Sequence, residues 1–278
     1  MQVVMMRPPP QRMTAGMFRL FDRKPPIESS SIEWLFEHFA WAMDNFDAEL
    51  FYRDTQLVEP NNRFFPGRAD SVPGMAELVF GQVKDYAGVS HWPTRLIDHR
   101  SCPVTAFGPV EIQGALRGPR GVSPVQVEEA QRLQIPFNPQ QVNNPEGLIA
   151  SFAHVLAHHL GQMARTPPPA GPEYWPEITE LLAIYLGFGL MFANSAFTFR
   201  GGCGSCYNPA AKRDAALSET EATYALAIFG VLKDIPPGQV TRHLKKHLRG
   251  FYRKAARDVA LREETTRIAN TLALSARG

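Results

Sequence analysis

The stretch from Leu181 to Phe197 constrains this chain more than any other: 17 residues, almost all apolar, between Glu180 and Arg200. A run this apolar is not stable facing water, and it falls short of the ~20 residues a helix needs to cross a bilayer. Gly187, Gly189, Asn194 and Ser195 also interrupt it. It is therefore expected to be a buried core helix around which the rest of the chain packs. With 278 residues, 44% of them hydrophobic and 20% charged, the chain holds enough material for such a core, as one large domain or two small ones.

Charge and cysteine usage narrow the setting. The chain has 29 basic against 27 acidic side chains. A near-neutral total supplies no global field for nucleic acid or an anionic membrane surface, so neither partner is expected. The three cysteines, Cys102, Cys203 and Cys206, are too few for a disulfide framework, which fits a reducing compartment such as the cytoplasm. The segment from Met1 to Leu20 has a short apolar start, then Arg7 and three prolines. It lacks the pattern of a signal peptide and reads as a loose tail.

Periodicity places the elements. Residues 1–30 form the tail and a proline-bearing linker; residues 31–142 read as a mixed α+β region; residues 143–278 read as helical. A first helix is expected from Ser31 to Leu50, followed by an extended stretch and turn from Tyr52 to Phe65. A second helix runs from Val72 to Ala87, with Ser71 as its cap and Gly88 as its stop. Short apolar runs at Thr94–Ile97, Val110–Ala115 and Arg132–Phe137, separated by Gly and Pro, predict strands of a small sheet. Asn144 and Pro145 open a helix to about Ala164. The next helix spans Pro176 to Phe197, and a glycine-rich loop covers Gly201 to Ala211. Ser218 with Glu221 is a capping box for a helix ending near Lys233. A last helical region extends from Val240 to Ser275, interrupted near Gly250.

One of these helices carries chemistry. His154 and His158 are four residues apart, so their imidazoles leave the same helix face within reach of one ion. The residues around them are nearly all apolar, so the helix is largely buried. A zinc centre needs a further protein ligand, and a carboxylate on the following helix is the usual supplier. Glu180 is preferred because it opens directly into the apolar run, where an unpaired carboxylate is costly; Glu177 is its rival. Asn194 and Tyr185, on the same helix as that run, are candidates to orient ligands around the site, or simply core hydrogen-bonders.

The position after His154, where an HExxH peptidase has its general base, holds Val155. Valine has no lone pair, so that route to activating a zinc-bound water is closed. His159 points about 100° round the helix from His158 and is a poor substitute.

Four blocks in fixed order, Pro145 to His158, Thr179 to Gly189, Phe192 to Phe197 and Leu217 to Phe229, resemble a family of uncharacterised bacterial zincin-like proteins with an HExxH helix. The resemblance implies an α+β, zincin-like fold, zinc as cofactor, His154 and His158 as ligands, and Glu180 where relatives usually carry aspartate. It is close over residues 145–233 and loose over 50–260. The departure is Val155. The expectation is a metallopeptidase homologue without its base, binding metal and recognising a peptide or protein partner. The alternatives are an active zinc hydrolase that recruits Glu177 or Glu173 as base, and a metal-free structural or interaction protein.

Other motifs read more plainly. A second HxxxH, His243 to His247, lies among Arg242, Lys245, Lys246 and Arg249, whose charge repels a metal ion. Cys203 and Cys206 form a CxxC with no second half for a structural zinc site. The basic run from Arg242 to Lys254 reads as the solvated face of an amphipathic helix.

Overall fold

The apolar run lies at the centre of the protein. The computed structural model describes residues 25–98, 112, 114–123, 128, 132–196 and 215–275. Within them, α5 (Trp175–Ala183) passes through a π-helical turn, Ile184–Phe188, into α6 (Gly189–Ser195). Every residue from Ile178 to Asn194 is buried. The continuous segment Pro172–Ser195 is long and apolar enough to cross a membrane, yet 94% of its most apolar window is covered by protein.

The segment bends at Gly187, whose φ of 101° lies in the left-handed region. The backbone N–H of Val58 donates to the Gly187 carbonyl at 3.0 Å. A Cβ on Gly187 would fall 2.1 Å from the carbonyl oxygen of Gln56. Both the backbone angle and the passing strand of chain therefore require glycine here.

Helices surround this bent axis. The helix α4 (Pro145–Gln162) starts where expected, with the Asn144 side chain accepting from the Gly147 N–H. It packs against α5 and α6. The helix α7 (Glu219–Leu232) has both halves of its capping box in place, Ser218 and Glu221. On the other side, α1 (Ser29–Asn45) and α3 (Val72–Ala87) contribute Phe36, Phe39, Val79 and Phe80 to the core. The polar cap Ser71 and the left-handed Gly88 (φ 73°) bound α3 as expected. Between residues 31–142 and 143–278 the core is continuous: the rings of Phe80 and Phe152 lie 5.0 Å apart, and Phe51 stacks on Tyr185 at 4.8 Å.

A two-stranded parallel sheet joins β1 (Thr94–Asp98) to β2 (Leu133–Phe137), with Thr94 opposite Leu133 and Asp98 opposite Phe137. In β2 the period-2 pattern turns Leu133, Ile135 and Phe137 inward. The architecture is thus mixed α/β, mostly helical with one small parallel sheet among the described residues.

Several boundaries differ from expectation. The first helix is two: α1 ends at Asn45, Asp47 takes φ 65°, and its carboxylate accepts from the Leu50 N–H to cap α2 (Ala48–Arg53). Half of the run Val110–Ala115 lies outside the described residues; Gly114, inside them, forms an isolated antiparallel bridge with Gly121. The last helical region is three helices, α8 (Pro237–His243), α9 (Leu248–Ala260) and α10 (Glu263–Ser275). Gly250 lies inside α9, and the chain breaks instead at Leu244, which is extended. Cys102, Cys203 and Cys206 lie outside the described residues.

One buried cation ties these parts together. Arg117, 4% exposed, donates from Nε to the Ala87 carbonyl (3.0 Å), and from its two terminal nitrogens to the Phe46 carbonyl (3.3 Å) and Thr55 Oγ1 (3.2 Å). Ala87 ends α3 and Phe46 follows α1, so both carbonyls carry the partial negative charge of a helix C-terminus. The guanidinium also sits 5.4 Å from the centre of the Tyr185 ring. Carbonyl dipoles and an aromatic face thus do for Arg117 what a carboxylate does for most buried cations.

Candidate functional site

The helix α4 presents a half-buried face made of His154, Val155, His158 and His159, while Phe152, Ala153, Leu156, Ala157 and Leu160 are buried on the other side. His154 and His158 share that face, as their spacing predicts. On that face His158 has two hydrogen-bond partners. Its Nδ1 accepts a hydrogen bond from the Trp175 indole N–H at 3.0 Å, and its Nε2 lies 3.0 Å from the Gln162 side-chain amide.

An indole nitrogen only donates, so Nδ1 must hold the lone pair and, in the neutral ring, Nε2 must hold the proton. Gln162 then meets it with its carbonyl oxygen, an assignment made from the network. Burial lowers the pKa of His158 and so favours this neutral ring. Burial, with His158 alongside, pushes His159 down to about 4.

Glu180 is fully buried, but it serves the start of α7. Its Oε1 accepts from the Ala216 N–H and its Oε2 from the Leu217 N–H, each at 3.0 Å. These two bonds hold the chain immediately before the Ser218 cap, joining α5 to α7. Glu177 sits one turn earlier, in the first turn of α5. Its Oε2 is closed to solvent and has no hydrogen-bond partner among the described residues.

Asn194 and Tyr185 are engaged elsewhere. The Asn194 amide donates to the His243 carbonyl (3.0 Å) and to Glu146 (3.3 Å), and its oxygen accepts from the Lys245 N–H (3.0 Å). It fastens α6 to the turn after α8. The Tyr185 hydroxyl donates to the Phe46 carbonyl at 3.4 Å, beneath Arg117.

Among the described residues, no three His, Cys, Asp or Glu side chains are grouped to hold a metal ion. The donor chemistry agrees. To ligate through Nε2, His158 would move its proton to Nδ1 and point it at the Trp175 N–H, two donors facing each other. To ligate through Nδ1, it would give up Trp175. As arranged, the described residues do not fit a zinc centre. In the second HxxxH, His247 is engaged by Glu219 at 2.8 Å, and His243 lies 3.2 Å from the Glu59 carboxylate.

A cavity of about 350 Å³ opens between α1, α5 and the segment leading into α7, lined by Trp34, Leu35, Tyr174, Glu177, Leu217 and Glu221. Trp34 stacks on His38 with ring centres 3.9 Å apart. A larger hollow of about 630 Å³ lies beside Arg117, but the charges in its wall are met internally, Arg53 by Asp54 and Glu49 and Asp85 by Ser90. Trp175 and Trp34, which define the surroundings of the two candidate sites, carry no sequence motif. The signal for Trp175 was its place one loop after the histidines, ahead of Pro176.

Comparison with protein-family models, curated proteins and solved structures finds no match to the chain.

Proposed function

We propose that the protein is a zincin-like scaffold without peptidase activity that works as a metal-independent binding protein for a peptide or protein partner. The observation that carries this reading is the Trp175 indole N–H on Nδ1 of His158. It commits the best-placed ligand to a structural hydrogen bond, next to a position where Val155 stands in place of a general base. Glu180, the carboxylate with the strongest claim to complete a metal site, is similarly committed to the start of α7. The cavity walled by Trp34, Tyr174 and Leu217, with carboxylates at Glu177 and Glu221, suits a peptide segment bearing an apolar or basic side chain.

Zinc content of the purified full chain, measured after equilibration with zinc and desalting, tests the reading together with a casein-cleavage assay. The expected result is no retained zinc and no cleavage, in the wild type and in His158→Ala alike. Stoichiometric zinc in the wild type that is lost in His158→Ala overturns the metal-independent part. Cleavage by the wild type overturns the rest.

A further inference from the structure

We infer that α9 and the turn before it form a docking surface for the phosphate backbone of duplex nucleic acid, a function separate from the peptide-binding reading above. Between Arg242 and Arg257 the chain carries seven Arg or Lys side chains and no Asp or Glu. Arg242, Lys245 and Lys246 precede the helix, and Arg249, Arg253, Lys254 and Arg257 lie on it. All are exposed except Arg249, which is half-buried.

None of the seven is in an ion pair with another of the described residues. The carboxylates nearby are engaged by other groups, Glu59 by the side-chain amides of Asn61 and Gln239, Glu219 by His247 and Asp258 by Arg262. The arginines on α9 reach neutral oxygens: Arg249 the Leu244 carbonyl (2.9 Å), Arg253 the Thr241 hydroxyl (3.4 Å) and Arg257 the Arg253 carbonyl (3.1 Å). Arg249, Arg253 and Arg257 are four residues apart, in one row with a rise of ~6 Å between neighbours. Like charges in such a row repel each other, and an anionic polymer laid along it removes the penalty.

The near-neutral total conceals this segregation. Of 29 basic side chains seven lie here, leaving 22 against 27 acidic ones over the rest of the chain. One positive face on an otherwise acidic molecule orients a polyanion toward that face. Nucleic acid is favoured over a membrane because the apolar side of α9, Leu248, Tyr252, Ala255 and Val259, is buried in the protein. It therefore has no apolar face to insert between lipids. Guanidinium forks suit phosphate oxygens, which they bind in pairs.

The test is fluorescence anisotropy of a labelled mixed-sequence DNA duplex of ~20 base pairs with the full chain, from about 50 to 200 mM salt. Binding is expected to weaken steeply with salt. The double variant Arg253→Gln/Arg257→Gln is expected to keep its thermal stability and to flatten the log–log salt slope by about 1.8, near 0.9 per lost phosphate contact. Arg253→Lys/Arg257→Lys should restore the slope. No salt-dependent binding by the wild type overturns the inference, as does an unchanged slope in the glutamine variant. Equal or tighter binding to phosphatidylserine vesicles or to poly-glutamate overturns it as well.

Discussion

The Trp175 indole N–H and the Nδ1 of His158 meet at 3.0 Å, and that contact decides which imidazole nitrogen carries the proton. A helix whose sequence spacing reads as half of a metal site is thereby tied into the core by α5. Two further contacts and one buried imidazole make equally specific demands.

Trp175→Phe keeps the ring in place and removes the donor. The buried lone pair of His158 is left without a partner, which costs about 1–3 kcal/mol. Chemical denaturation should register that loss. Nitrogen shifts of the His158 ring should show the proton redistributing between Nδ1 and Nε2; a ring that stays wholly in the Nε2–H form shows that Trp175 does not set the tautomer.

His159 makes stability depend on pH. Its pKa falls from 6.5 to about 4 in the folded protein, chiefly through burial. Above pH 6.5 the folded and unfolded chains both hold it neutral, so it has no effect there. As pH drops from 6.5 toward about 4, the unfolded chain takes up a proton that the folded one resists, and stability declines. His158 and His38, also lowered by burial, act in the same direction. Unfolding free energies across this window should fall with acidity, and His159→Gln should make the decline shallower. Equal slopes in the two proteins would remove His159 from the explanation.

Glu180→Gln replaces one acceptor oxygen with an N–H₂ group facing a backbone N–H. A charge-assisted hydrogen bond becomes a donor–donor contact, with an expected loss of about 2–3 kcal/mol. Hydrogen exchange at the Ala216 and Leu217 amides should quicken more than exchange in α3. If stability is unchanged and a bound zinc is released instead, the carboxylate is a metal ligand after all.

Arg117→Met preserves much of the side-chain volume and deletes the donors. The Ala87 carbonyl loses its Arg117 bond and Phe46 keeps the 3.4 Å contact from Tyr185. The expected destabilisation is on the order of 2–4 kcal/mol, from two weakened buried acceptors. Lysine has a single point of donation and should recover part of it. Wild-type stability in Arg117→Met would mean that the ends of α1 and α3 are held by packing alone.

The sequence conveyed the fold wherever the determinant was local. Asn144 with Pro145, Ser71 with Gly88, and Ser218 with Glu221 fix helix ends through contacts a few residues apart, and those ends lie within a residue or two of expectation. The split after Asn45 depends on Asp47 adopting a positive φ, and the bend at Gly187 on a segment about 130 residues away in sequence. Neither leaves a periodic trace. The candidate site divides in the same way. The shared face of His154 and His158 follows from helical geometry, whereas the partners of His158 and Glu180 come from α5 and the approach to α7. The charge of α9 was visible, but that its arginines meet no carboxylate among the described residues depends on which side chains Glu59, Glu219 and Asp258 face.

At Gly187, handedness matters as well as size. An L-alanine there meets both the unfavourable angle and the Gln56 oxygen, whereas D-alanine favours that angle and projects its methyl from the other side of Cα. Introduced by chemical ligation, the mirror-image residue should be tolerated better than L-alanine, because it takes the angle without aiming its methyl at the Gln56 oxygen.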